Sequence, residues 1–137
     1  GFVRGGYGQH GETYVSPDDI LWWSHGGVLH GGSPARIAFL KQIMNETPGG
    51  YVEPLPGSFD EIVCSNGPSS RPGPYRIFYY GFGRPSSRTY RMPEGEKWSA
   101  EVIDTWDMTI TPAGTHQGTF VLPLPGKEYI AVRLRRV

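Results

Sequence analysis

The pattern of apolar and polar positions predicts one clear α-helix, over residues 33–46. At about 100° per residue, one side of this helix collects five apolar side chains: Ile37, Phe39, Leu40, Ile43 and Met44. Ser33 can accept hydrogen bonds from free backbone N–H groups, and Pro34 suits the first helical position. Pro48 begins the Pro-Gly-Gly run that ends the pattern. We expect Ile37, Leu40 and Met44 to pack on the rest of the chain, or on a second copy in a homodimer.

From residue 57 onward, short segments with the features of β-strands replace the helical pattern. Seven such segments follow one another, at 61–65, 75–82, 87–92, 98–102, 108–110, 120–122 and 130–134. Turn signals separate them roughly every ten residues, which favours an antiparallel β-sandwich of about seven to eight strands. The chain is therefore predicted to be mainly β, with an N-terminal segment (1–50) that contains the helix and a β-sandwich domain over 51–137. Pro54 and Pro56 predict an extended linker over 51–56.

Composition narrows the range of partners. The 137 residues contain 13 basic and 13 acidic side chains, so the formal net charge is zero. A neutral chain argues against nucleic acid or an anionic membrane as the main partner. No apolar run approaches the length of a membrane-spanning helix. Cys64 is the only cysteine, so no intrachain disulfide forms and the compartment stays undecided.

Chemistry-bearing residues concentrate before residue 31, but no complete catalytic set is present. His10 and Glu12 form the densest polar pair, and they lack the cysteines or histidine spacing of a zinc motif. No metal or cofactor is therefore predicted. Glycoside hydrolysis needs two carboxyl groups at a defined separation. Asp18 and Asp19 look like acids of a helix start, which leaves Glu12 without a matching partner, so no catalytic residue is predicted.

Aromatic residues near His10 point to sugar contact instead. Trp22 and Trp23 could present a ring to the C–H face of a sugar, while His10 and Glu12 supply polar contacts, as in many small-molecule sites. Adjacent residues on a helix point about 100° apart, so at most one of the two tryptophans faces a ligand. The alternative is a structural role for both tryptophans, in which one ring packs in the core and the other covers the helix.

Arg36 is the one charged residue inside the apolar arc of the helix. Either its stem packs and its head reaches water, or the guanidinium is buried and needs a carboxylate. For the second case the candidate partners are Glu12, Asp18 and Asp19 from the N-terminal segment and Asp104 and Asp107 from the β-domain. Asp104 and Asp107 are preferred, since a pair across the domain boundary would hold the two parts together. The basic residues at 133, 135 and 136 are expected to form a solvated face.

Several strings of residues resemble a known family. GYGQHGETY at 6–14, LWWSHGG at 21–27 and GSPARIAFL at 32–40 resemble the end of the catalytic barrel in apiosidase-like bacterial glycoside hydrolases. Members of this family often carry the labels collagen-binding or endoglucanase. The strings EVIDTWDMTIT at 101–111 and PLPGKEYIAVRL at 123–134 resemble their C-terminal β-sandwich. The resemblance covers nearly the whole chain and is weakest over 51–71.

The resemblance implies that residues 1–50 are the last strand, loop and helix of a TIM barrel. Active sites of such barrels lie at the C-terminal ends of the strands, which would place His10, Glu12, Trp22 and Trp23 near the sugar. The family's two catalytic carboxylates would lie upstream of Gly1, so no catalytic residue is carried over.

Three functions follow from these observations. The first is an accessory β-sandwich domain that supports the catalytic barrel of a glycoside hydrolase and is inactive alone, with carbohydrate as the partner of the parent enzyme. The second is a carbohydrate-binding module, with Trp106 or the pair Tyr79 and Tyr80 as its aromatic platform. The third is a purely structural domain that binds nothing. Fold alone does not separate them.

Overall fold

The structure, a computed structural model, describes residues 1–4, 6 and 32–137. Within them the chain forms one α-helix, α1 (Ser33–Asn45), and short 3₁₀ turns at Phe2–Arg4 and Pro48–Gly50. Eight strands follow: β1 (Glu53–Ser58), β2 (Glu61–Ser65), β3 (Tyr75–Tyr79), β4 (Ser87–Arg91), β5 (Lys97–Asp104), β6 (Thr109–Gln117), β7 (Thr119–Pro123) and β8 (Ile130–Arg136). The described part of the chain is therefore mainly β, as the sequence predicts.

All strand pairs are antiparallel. Six strands form one sheet in the order β1-β2-β3-β8-β5-β6, and β4 and β7 form a second sheet of two strands. The strand β8 comes last along the chain, yet it lies between β3 and β5 in the middle of the larger sheet. Its neighbours thus come from segments far apart in sequence.

Two apolar cores cover the two faces of the larger sheet. One core joins it to the β4–β7 sheet and contains Trp98, Val132 and Leu134 together with Tyr90 and Leu122. The other core lies on the opposite face, where Ile77, Ile103 and Ala131 meet Ile43 of α1 and Phe2 of the first turn. The larger sheet is consequently buried between a small sheet and a helix.

Helix α1 packs on the sheet through a side that differs from the expected one. Ile43 is buried, and Phe39 and Met44 are partly buried against the same core. Ile37 and Leu40, expected to lie inward, are 43% and 45% exposed. The contact lies near the end of the helix, so only residues of its later turns reach the sheet deeply. Of the three residues expected to lie inward, Met44 packs on the β-domain core, whereas Ile37 and Leu40 are only partly buried.

Other local details also depart from the sequence analysis. The helix ends at Asn45 rather than 46, and Gly32 takes the capping position without a side-chain cap. The segment predicted as a linker contains β1, whose pairing with β2 shifts in register after Leu55. Proline is tolerated there because β1 is an edge strand and one side of its backbone needs no partner. No helix within the described ranges is long and apolar enough to cross a membrane.

Candidate functional site

A buried guanidinium joins α1 to the middle of the sheet. Arg133 of β8 is 2% exposed; its Nη1 donates to Glu46 Oε2 at 2.6 Å and its Nε donates to Glu101 Oε2 at 2.7 Å. Arg135 donates to the same two oxygens at 3.4 and 2.8 Å. We call these four residues, Glu46, Glu101, Arg133 and Arg135, the Glu46–Arg133 cluster. It connects Glu46, the residue that caps α1, to the neighbouring strands β8 and β5.

The register of the sheet places these charges together. Arg133 lies directly opposite Glu101 on β5, so the two side chains project from the same face. Burial by itself would lower the pKa of Arg133, but hydrogen bonds to Glu101 and Glu46 raise it above its usual value. The guanidinium therefore stays charged, and its carboxylate partners compensate for its removal from water.

A hydroxyl pair continues this contact toward the end of α1. The Thr47 hydroxyl donates to the carbonyl of Ile43 at 2.9 Å and lies 3.1 Å from the hydroxyl of Tyr75 on β3. Burial raises the pKa of Tyr75, so its hydroxyl remains protonated. The end of the helix is thus held by both charged and neutral hydrogen bonds.

The position of Arg133 corrects the expectation of a solvated basic face at 133, 135 and 136. Arg133 is buried and Arg135 is half-buried, and only Arg136 is exposed. The sequence pattern of β8, apolar residues alternating with Arg, is typical of a strand with one wet face. Here α1 covers that second face, so Arg133 and Arg135 need carboxylate partners. Glu46, at the end of α1, is one of them.

Three aromatic side chains lie close together beside the β5–β6 turn. The ring of Trp106 stacks on Tyr129 at a centroid distance of 5.7 Å, and Phe82 meets Tyr129 edge-on at 5.5 Å. Trp106 is 54% exposed and Phe82 is 79% exposed. We call Phe82, Trp106 and Tyr129 the aromatic cluster. The sequence analysis named Trp106 as a platform residue, but it also named Tyr80, which is buried in the core.

The backbone of Tyr129 ties together the loops that carry the other two rings. Its N–H donates to the carbonyl of Gly81 at 2.6 Å, and its carbonyl accepts from the hydroxyl of Thr105 at 2.7 Å. Tyr129 and Met108 have positive φ values of 61° and 56°. Such a conformation costs a non-glycine residue about 1–3 kcal/mol, so the surrounding contacts must hold it in place.

Charged side chains surround the aromatic cluster in pairs. Lys127 Nζ lies 2.6 Å from Asp104 Oδ2 and 2.5 Å from Asp107 Oδ2, and Arg84 Nη2 lies 2.6 Å from Glu128 Oε1. Burial would raise the pKa of Asp104, but the backbone N–H of Asp107 and the Lys127 ammonium hold it below its usual value. Asp104 therefore fixes the turn as an ionised carboxylate.

Arg36 reaches across to this turn, but by a different contact from the expected one. Its guanidinium carbon lies 4.0 Å from the centre of the Trp106 ring, a cation–π arrangement. The two carboxylates proposed as its partners, Asp104 and Asp107, are bound to Lys127 instead. Lys127 lies on the loop that follows β7, where the fold brings it beside the turn. The side chain of Arg36 thus lies on an aromatic face.

The other predicted site residues, His10, Glu12, Trp22 and Trp23, lie outside the described residues. Within the described ranges, no group of three or more His, Cys, Asp or Glu side chains could hold a metal ion. The residues that sequence reasoning missed are Glu46, Glu101, Lys127 and Tyr129. For Glu101 a signal existed, because pairing β5 with β8 places it opposite Arg133. Glu46, Lys127 and Tyr129 contact residues that are distant in sequence, and the periodicity of the sequence does not indicate such contacts.

The comparisons with known proteins agree with the fold. The described part forms a small β-sandwich carrying one docked helix, an arrangement that also occurs as one part of larger proteins. Residues 62–135, which make up more than half of the chain, match the family described as Domain of unknown function (DUF5605). The chain belongs to this family. No curated protein matches the chain.

Two solved structures resemble this chain over most of its length. One is described as a "putative glycoside hydrolase" from Bacteroides vulgatus ATCC 8482; it has a TM-score of 0.80 and 23% identity, and the match covers 99% of this chain. The other, described as "Glycoside hydrolase", has a TM-score of 0.55 and 15% identity, and the match covers 88% of this chain. The matched region is 30% of each of those chains. At these identities the likeness shows the fold.

Proposed function

We propose that this chain is an accessory β-sandwich domain, together with the end of the barrel, from an apiosidase-like glycoside hydrolase. Its role is to support the catalytic barrel, and it is not catalytic by itself. The observation that carries this proposal is the bond between Arg133 in the middle of the sheet and Glu46 at the end of α1. Through this ion pair the β-sandwich binds a helix whose sequence resembles the last barrel helix. The β-sandwich therefore fixes the position of that helix.

The two sides of α1 support the same role. The side with Ile43 is buried on the sheet, whereas Ile37 and Leu40 form an apolar side that is a little under half exposed in the chain as described. A helix with two apolar sides suits a position between two packed layers. We infer that the side with Ile37 and Leu40 packs on the barrel of the parent enzyme.

Two carboxylates among the described residues, Glu46 and Asp104, are held in structural ion pairs. The general acid of a glycosidase needs a raised pKa so that it holds a proton at neutral pH. The pKa values of Glu46 and Asp104 are lowered instead, Glu46 mainly by a hydrogen bond from Gln42 and Asp104 by its backbone and Lys127 contacts. Both carboxylates are bound to basic side chains, which suits structural ion pairs.

The supporting role is tested by comparing two contexts. Replacing Ile37 and Leu40 with Asp should lower the Tm of the full parent enzyme clearly more than the Tm of the 137-residue chain, because only the parent buries that side. Lys41→Asp, on the exposed part of the same helix, is the matched control. Equal shifts of Tm in both contexts would show that this side of α1 supports no second domain.

The non-catalytic role has a separate test. The 137-residue chain should hydrolyse none of a panel of aryl glycosides. Turnover that disappears in the variant Glu12→Gln would overturn this part of the proposal, since it would locate catalysis within the chain.

A further inference from the structure

The aromatic cluster has the composition of a sugar-contact surface. Trp106 is 54% exposed even though Tyr129 stacks on its ring and the Arg36 guanidinium carbon lies 4.0 Å from its centre, and Phe82 is 79% exposed. Exposed aromatic side chains are groups that contact apolar faces of a ligand. A depression of about 520 Å³ adjoins Trp106 and Tyr129, and Arg84, Gly126, Lys127 and Glu128 complete its lining. This volume lies within the usual range for small-molecule sites.

Among the residues that the structure describes, the charged side chains around the cluster sum to zero. Three cations and three anions contribute: Arg36, Arg84, Lys127, Asp104, Asp107 and Glu128. A site of this kind gives no net attraction to a charged ligand. Its paired carboxylate oxygens and N–H groups can still accept from and donate to hydroxyl groups. The ligand that fits therefore has apolar C–H faces, many hydroxyls and no net charge.

The cluster is built as a rigid unit rather than as a chance contact of mobile side chains. Hydrogen bonds from the backbone of Tyr129 hold the loop at Gly81 and the turn at Thr105 against each other. Tyr129 and Met108 keep positive φ values there, a strained conformation that is often found at ligand sites. A preorganised surface binds a ligand with less loss of conformational freedom.

The geometry points to a binding site for a neutral oligosaccharide on the aromatic cluster, formed by Phe82, Trp106 and Tyr129. The choice of a sugar as ligand rests in part on the proposed function, whereas the site itself rests on the exposed rings and their neutral polar rim. Because Arg36 of α1 lies on Trp106, the site borders the helix assigned to the barrel. A glycan bound there would be held beside the catalytic domain.

Titration of the ¹⁵N-labelled 137-residue chain with neutral hexasaccharides tests the site. Cello-, xylo-, manno- and arabino-hexaose each serve as a probe, and the indole N–H of Trp106 is followed by NMR. We expect a saturable shift of this signal with at least one sugar. Trp106→Ala should weaken binding of that sugar about tenfold or more, which corresponds to about 1.4 kcal/mol. Phe82→Ala should weaken it as well.

Phe59→Ala is the matched control, because Phe59 is a fully exposed aromatic residue in the β1–β2 turn, at the opposite edge of the sheet. It should leave the affinity unchanged. The signal of the buried Trp98 indole reports whether each variant is folded.

No shift of the Trp106 signal with any neutral sugar at millimolar concentration would overturn the proposal and leave a protein partner as the occupant. Tighter binding of an acidic oligogalacturonate than of every neutral sugar would overturn it too. Neither result affects the supporting role of the domain.

Discussion

Arg133 and Glu46 are 87 positions apart in the chain, and their side chains meet at 2.6 Å between Nη1 and Oε2. Arg133 belongs to the most buried strand of the sheet, and Glu46 immediately follows α1. The pair therefore joins two parts of the chain that sequence analysis assigned to different domains. Its strength should decide whether the helix remains on the sheet.

Arg133→Ala should lower the free energy of unfolding by about 3 kcal/mol, the lower end of the range for breaking a buried ion pair. The lower end applies because Glu46 and Glu101 retain some contact with water and with Arg135. Urea denaturation followed by fluorescence measures the change. Arg136→Ala is the control: Arg136 is 48% exposed and pairs with Glu96, which is 28% exposed, so its effect should stay below about 1 kcal/mol. Equal losses in both variants would mean that Arg133 has no special role.

Ile43 and Ile37 offer a matched pair on the two sides of α1. Ile43→Ala should cost about 2–5 kcal/mol of folding free energy, because the buried side chain leaves a cavity against the sheet. Ile37→Ala should cost less than about 1 kcal/mol in the isolated chain, because its side chain is already partly in water. Denaturation of the two variants under one condition gives the comparison. The reverse order would show that the helix docks by its Ile37 side.

Cys64 should be chemically silent in the folded protein. Its side chain is fully buried on β2, and burial raises the pKa of its thiol to about 12. Only the thiolate reacts with disulfide reagents, so labelling at neutral pH should require unfolding. We expect the labelling rate to rise with urea along the unfolding curve. Complete labelling within seconds in native buffer would contradict the burial of this strand.

Asp104 should contribute to acid sensitivity. Its pKa is lower in the folded chain than the usual value of 3.8, so the unfolded state binds protons more readily in this range. The stabilisation is complete above the usual pKa and is lost as the pH falls through the folded value. The free energy of unfolding should therefore decrease between about pH 5 and about pH 2.

Asp104→Asn should reduce this pH dependence, because the group that titrates is gone. Glu53→Gln removes a carboxylate from the exposed edge strand β1 and is the control. Denaturation curves at several pH values compare the slopes of the two variants with that of the unchanged chain. A slope that is unaltered in Asp104→Asn would assign the acid sensitivity to other carboxylates.

Local sequence patterns contain most of the architecture. The spacing of apolar residues after Pro34 predicts α1 within one residue at its end, and short apolar segments bounded by turn signals predict seven strands from 61 onward, although β6 extends to Gln117, well beyond the predicted 108–110. These signals are local, and residues near in sequence produce them. The strand β1 escapes prediction because Pro54 and Pro56 normally disfavour pairing, and only its edge position makes them tolerable.

The candidate sites depend on contacts that no local pattern contains. From the alternating pattern of β8, Arg133 is predicted to lie on a solvent-exposed face of the sheet. It is buried because α1 covers that face. The sequence marks Arg36 as a cation on an apolar arc, but it does not show that Lys127 takes Asp104 and Asp107 or that Arg36 lies on the Trp106 ring. Such choices are made by loops that meet in space, so they require the three-dimensional fold.

The central position of β8 has a consequence for how the protein is made. Until Ile130–Arg136 leaves the ribosome, β3 and β5 each lack a neighbour on one edge, and their unpaired backbone groups can pair with other chains. Tyr75 on β3 pairs with Arg135 on β8 in the antiparallel ladder. The larger sheet therefore forms through contacts between residues that are distant in sequence. Formation of such contacts is slow compared with local helix formation. The larger sheet is therefore completed only when β8 inserts between the edges of β3 and β5.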